Sequence, residues 1–191
     1  MFAGHFGLAA IVKSRTSRVP LWALMVSSQL LDVAFIPMVM TGAESMDETV
    51  YGGGYGEVII HADYTHSLLG AIILTLVAAL AGRWIWGKRA GAIIGAVVIS
   101  HWLLDLLVHR ADMPILPANW GDLPLLGFGL WQFPWITITL EALLIAAGTW
   151  MYARASLQRK STSSRLAPVS ASALLGAVLV LLLVSDAAGW F

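Results

Sequence analysis

The sequence contains no cysteine. That excludes disulfides, thiolate zinc sites and cysteine-held iron–sulfur clusters, and leaves histidine, aspartate and glutamate as the plausible metal ligands. Charge is also scarce: only 12% of the 191 residues are Asp, Glu, Lys or Arg, about half the share in a soluble domain. Eleven basic and eleven acidic residues cancel, so nothing marks a nucleic-acid partner. The opening stretch "MFAGHFGLAAIV" lacks the basic n-region of a signal peptide and is expected to be retained.

What the chain has in excess is apolar surface, at 59% hydrophobic residues and a mean hydropathy of +0.80. Several windows of roughly 20 nearly uncharged residues match the length that crosses a bilayer core as a helix. The expected fold class is all-α, an integral membrane helical bundle of about five transmembrane helices plus a short N-terminal half-helix. The whole of 1–191 reads as one transmembrane domain. The segment 2–12 is too short to cross alone. Full spans are expected at 20–41, 66–86, 90–109, 129–153 and 168–190. Between the first two lies a polar loop, 42–65, whose "YGGGYG" cannot be a stable helix. A basic, serine-rich loop, 154–167, precedes the last span.

Lysine and arginine set the orientation. Lys13, Arg15 and Arg18, then Arg83, Lys88 and Arg89, then Arg154, Arg159, Lys160 and Arg165 fall on one face if there are five crossings. The opposite face holds Arg110 with Glu44, Asp47, Glu48, Glu57, Asp112 and Asp122. The expected arrangement is a multi-pass protein of a bacterial-type inner membrane, with the N-terminus and 154–167 cytoplasmic and the glycine-rich loop outside.

Ionisable residues inside a span cost a few kcal/mol each and need a partner or a purpose. Counting ~1.5 Å of rise per residue from the basic anchors puts Asp32 at roughly 21 Å, His101 and Asp105 at roughly 18 and 24 Å, His66 at roughly 26 Å and Glu141 at roughly 20 Å. Separate helices thus deliver polar groups to one slab, which points to a shared metal site. "HWLLDLLVH" sets His101, Asp105 and His109 at i, i+4 and i+8 on one helix face. The first two can grip one ion, whereas i to i+8 spans about 12 Å, too far for a single ion with bonds of about 2 Å. His109 would then serve a second ion or the substrate. In "HADYTH" a turn entering a helix would aim His61 and His66 at one point. Glu141 either joins the site or bonds a neighbouring helix.

In chain order, Gly4-His5, "LLD" (30–32), "HADYTHSLLG" (61–70) and "SHWLLDLL" (100–107) resemble the YdjM-like membrane-bound metal-dependent hydrolases. Those proteins carry an N-terminal Gly-His, a "PDID"-type motif, "HRGxTHS" opening a membrane helix, and "SHxxxD" on the next one. The family is itself distantly similar to zinc-dependent phospholipases C and single-strand nucleases, helical proteins whose His and Asp side chains hold zinc for phosphodiester hydrolysis. The resemblance implies His5, Asp32, His61, His66, His101 and Asp105 as metal-site residues. It implies zinc or a similar divalent ion, one or two per chain. Two departures stand out: Ala34 replaces the second acid of "PDID", and Ala62-Asp63 replaces Arg-Gly. The first implies fewer ions; the second removes a phosphate clamp and adds Asp63 as a possible ligand.

Two functions follow. In a metal-dependent hydrolase, the ion would lower the pKa of bound water to about 7 and polarise the scissile group. His66, His101 and Asp105 would be ligands, Asp32 a bridge between ions or the general base, and His61 and His109 would complete a second ion or position substrate. A site within the bilayer suits a lipid or lipid-linked phosphoester. The alternative is a non-catalytic accessory or structural subunit of a larger membrane complex, which the missing acid and arginine favour. Transport of a metal ion or proton, or haem ligation, is a weaker third reading, since paired inverted segments are absent.

Overall fold

The computed structural model describes residues 1–47, 59–158 and 166–189. The "YGGGYG" stretch and Arg159, Lys160 and Arg165 lie outside the described residues. Seven α-helices occur among the described residues: α1 (Phe2–Arg15), α2 (Leu21–Ser28), α3 (Leu30–Met40), α4 (Leu68–Trp86), α5 (Lys88–Val108), α6 (Pro134–Gln158) and α7 (Leu166–Ala187). A small hairpin, β1 (Ser45–Asp47) with β2 (Ile59–His61), is antiparallel and pairs Ser45 with His61. The protein is an all-α membrane bundle. Helices α4 to α7 are each long and apolar enough to cross a bilayer, and the bent pair α2–α3 makes a fifth span if counted as one.

The spanning helices α4, α6 and α7 bury little of themselves and turn large apolar residues outward, whereas α5 is half buried. On α4, Leu69, Ile72, Ile73, Leu76, Val77 and Leu80 are all exposed, a surface that only lipid or another apolar partner can cover. The interior combines apolar residues such as Leu24, Leu31, Val98 and Trp102 with buried polar ones such as His5, His101 and Glu141. α1 lies along α6, α4 along α5, and α7 against α6. The α1–α6 contact is made by glycine: a Cβ on Gly7 would stand 2.8 Å from the carbonyl group of Leu144, and one on Gly148 would run into the carbonyl oxygen of Gly7. Absence of side chains lets two backbones touch, the usual device for packing helices in lipid.

The span expected at 129–153 is displaced, its helix running from Pro134 to Gln158; the other expected spans and the helices agree closely, with two differences. The stretch expected as one helix over 20–41 is broken at Gln29, where the two halves are bent by 53°. Gln29 leaves helical geometry (φ −116°, ψ 14°) and its side-chain amide donates to the carbonyl of Phe2 at 2.9 Å. The hydroxyls of Ser27 and Ser28 donate back to the carbonyls of Ala23 and Met25, a bond type that bends helices. α6 continues to Gln158 and α7 begins at Leu166, so both helices enter the 154–167 stretch expected as a loop, of which 159–165 lie outside the described residues.

Candidate metal centre

The break at Gln29 creates the first element of the site. Ser28 is the last residue of α2, and helix-terminal carbonyls have no partner within their own helix. His101 of α5 supplies one: its Nδ1 lies 2.7 Å from the Ser28 carbonyl oxygen. A carbonyl only accepts, so Nδ1 carries the proton, and in the neutral ring Nε2 carries the lone pair. That nitrogen is buried, 2.9 Å from Asp105 Oδ2 and 3.4 Å from Asp32 Oδ1. It makes no hydrogen bond to either.

His66 is arranged the same way from the other side. Its Nδ1 is 3.0 Å from the hydroxyl of Thr65, and that hydroxyl lies 3.1 and 3.0 Å from the two oxygens of Glu44. A carboxylate only accepts, so Thr65 donates its one proton to Glu44 and accepts from His66 Nδ1–H. His66 Nε2 then presents a lone pair 3.3 Å from Asp32 Oδ1 and 3.7 Å from Asp105 Oδ2. Two ring lone pairs and two carboxylates facing one another repel unless a cation or protons stand between them.

Each side chain is held from behind. α4 starts at Ser67, whose hydroxyl accepts from Gly70 N–H and donates to the Tyr64 carbonyl. The Trp102 indole donates to the His66 carbonyl at 2.8 Å, and the amides of Leu68 and Leu69 bond the carbonyls of Pro114 and Ile115. Asp32 sits in the first turn of α3, the helix end that favours an anion. His5 comes from α1; its Nε2 is 3.1 Å from Asp105 Oδ1. His5, His66, His101 and Asp105 are buried, while the Asp32 side chain is 38% exposed.

Among the described residues two sets of three could hold an ion: Asp32, His66 and His101, and His5, His101 and Asp105, with ligand atoms within 4.8 Å of one another in each. Both depend on His101. In the first set the separations between Asp32 Oδ1 and the two imidazole Nε2 atoms, 3.3 and 3.4 Å, match the ~3.3 Å edge of a tetrahedron with bonds of about 2.0–2.1 Å. The residues present therefore fit a divalent metal ion.

Five of the six residues expected at the site, His5, Asp32, His66, His101 and Asp105, come together. His61 does not. It lies on β2, its Nε2 3.0 Å from Asp47 Oδ2, with 47% of its side chain exposed. The hairpin keeps His61 in extended backbone paired with Ser45, so no helical turn carries it towards His66. Asp63 gives its carbonyl to Ala118 N–H and belongs to neither set. His109 ends α5 beside the centre, its ring 6.2 Å from that of His66 and 4.1 Å from Trp131, with Nδ1 3.2 Å from Asp112 Oδ1. Glu141 is fully buried at the edge: its Oε1 is 3.8 Å from the α-amino nitrogen of Met1, itself 3.7 Å from Asp105 Oδ1. Sequence reasoning missed Glu44, counted only as an outer-face acid, and Thr65, whose position directly before His66 was the available signal.

The family described as YdjM inner membrane protein matches residues 2–188. No curated protein and no solved structure matches the chain.

Proposed function

The chain belongs to the YdjM inner membrane protein family, and we propose that it is a membrane-embedded, metal-dependent hydrolase of a lipid or lipid-linked phosphoester. One observation carries this reading: His66 and His101 have their Nδ1 protons committed to Thr65 and Ser28, so both Nε2 atoms face the carboxylates of Asp32 and Asp105. Metal-ligating histidines are held in this manner, the second ring nitrogen donating outward to fix the tautomer. Asp32, His66 and His101 would hold the ion, three ligands with a coordination position left over. A bound divalent cation supplies Lewis acidity towards a phosphoryl oxygen and makes water a nucleophile at neutral pH.

The chain's own residues do the rest. Asp32 is the half-exposed member, so substrate meets the site at its carboxylate. With Oδ1 turned to the histidines, Oδ2 is the atom that takes a proton from attacking water. The new P–O bond forms, the ester P–O bond breaks, and the leaving alkoxide takes up the proton that Asp32 Oδ2 removed from the water. Val33 and Ile36 flank Asp32 on α3 and are exposed, an apolar approach that favours a substrate arriving from the lipid phase.

Elemental analysis of detergent-purified protein beside a His101→Ala, Asp105→Ala variant tests the proposal, followed by phosphate release from phosphoester lipids in vesicles. Metal in the wild type only, with turnover abolished by chelator, is the expected result. A well-folded wild type that binds no zinc or manganese after supplementation would overturn it. Bound metal with no turnover on any phosphoester would leave a metal-holding structural subunit.

A further inference from the structure

Glu44 is 3% exposed although it stands in a polar segment, one residue before β1. Its Oε1 accepts the backbone N–H groups of Tyr64 and Thr65, both at 2.8 Å, as well as the Thr65 hydroxyl. Its own N–H and that of Ala43 bond the carbonyl of Met38 near the end of α3. The segment from Asp32 to Glu44 therefore leaves the site with one ligand and returns with the group that grips the neighbour of another. Nothing in such a bond pattern is required to start α4, which is capped by Ser67.

We infer that Glu44 and Thr65 are positioning residues that orient His66 and hold its proton on Nδ1, so that Nε2 is available to a divalent cation. The inference rests on the metal-site reading above. The chemistry is a relay of fixed polarity: the carboxylate can only accept, so the threonine hydroxyl must donate to it, and the imidazole Nδ1–H must donate to the hydroxyl. Reversing any step puts a proton on His66 Nε2 and removes a ligand. The same relay ties the hairpin, through the residue preceding it, to a ligand inside the bundle.

Thr65→Val is the diagnostic variant, because it deletes the hydroxyl yet keeps the backbone N–H bonded to Glu44. Full-length protein, stripped with chelator, would be titrated with Co²⁺ while visible absorption and affinity are read. Thr65→Val should lose about 10–100-fold in Co²⁺ affinity, the usual cost of a missing partner behind a ligating histidine, and its ligand-field bands should shift. Thr65→Ser should restore both. Glu44→Gln, which offers an amide N–H in place of one carboxylate oxygen, should weaken binding in the same direction and serves if Thr65→Val does not fold. Wild-type affinity and spectrum in Thr65→Val, or a Thr65→Ser variant as impaired as Thr65→Val, would overturn the positioning role. A wild type that binds no Co²⁺ would instead bring down the metal-site reading itself.

Discussion

His5 of α1 and His101 of α5 stack face to face, with ring centroids 3.8 Å apart and planes 12° from parallel. The stack places His5 behind the ligand common to both possible sets of three. His101 offers a single Nε2 lone pair, and one lone pair serves one ion. The separations around Asp32 suit that ion, while His5 holds Asp105 through Oδ1.

One ion per chain is therefore expected at saturation. His101→Ala should abolish stoichiometric binding. His5→Ala should keep one ion while losing about 10–100-fold in affinity, as for other outer partners of a metal site. Inductively coupled plasma analysis with a chelator-competition titration reads both quantities. Two ions per wild-type chain, or no metal in His5→Ala at saturation, would contradict this assignment.

Gly148→Ala should loosen the whole arrangement without touching a ligand. The added methyl meets the carbonyl oxygen of Gly7, and backbone cannot step aside as a flexible side chain would. Forcing one methyl into such a contact costs about 1–3 kcal/mol, and α1 carries His5. A lower melting temperature in detergent is expected. Unchanged melting would mean that α1 and α6 do not pack backbone to backbone.

The spans were legible because about 20 apolar residues in a row have few other uses. His66, His101, Asp105 and Asp32 were legible because charge at depth is expensive and because 101 and 105 share a helix face. The break at Gln29 was not legible. Ser-Ser-Gln within an apolar run carries no obligatory breaker: the serine hydroxyls bend the helix only by bonding back to their own carbonyls, and the other bonds at the break go to Phe2 and His101, residues distant in sequence. Glu44 was hidden for a similar reason: its sequence neighbours look solvent-facing, and only the turn back through Met38 buries it. His61 stands apart from the cluster because β2 holds it in extended backbone beside Asp47, a placement that its spacing from His66 does not reveal.

His61→Ala and Asp47→Asn should accordingly leave metal content and affinity unchanged. Their contact is a pair with 47% and 63% of the two side chains exposed, and such pairs contribute about 0–1 kcal/mol. The comparison with His66→Ala is the informative one, because both histidines fall in the same ten-residue motif. Loss of metal in His61→Ala comparable to that in His66→Ala would place His61 at the centre and require the hairpin to rearrange.

Trp102→Phe isolates the backbone's part in holding the site. The indole N–H bonds the His66 carbonyl at 2.8 Å in a buried setting, and phenylalanine keeps most of the ring while removing the donor. A buried carbonyl left without that donor costs about 1–3 kcal/mol, so the variant should melt earlier. His66 is anchored at its carbonyl by Trp102 and at its ring by Thr65. Losing one anchor should weaken Co²⁺ binding, and losing both in Trp102→Phe, Thr65→Val should weaken it by less than the two separate effects added, because they restrain the same ring. Strict additivity in that cycle would mean that the two contacts act on different things, and that the indole stabilises the bundle without orienting the ligand.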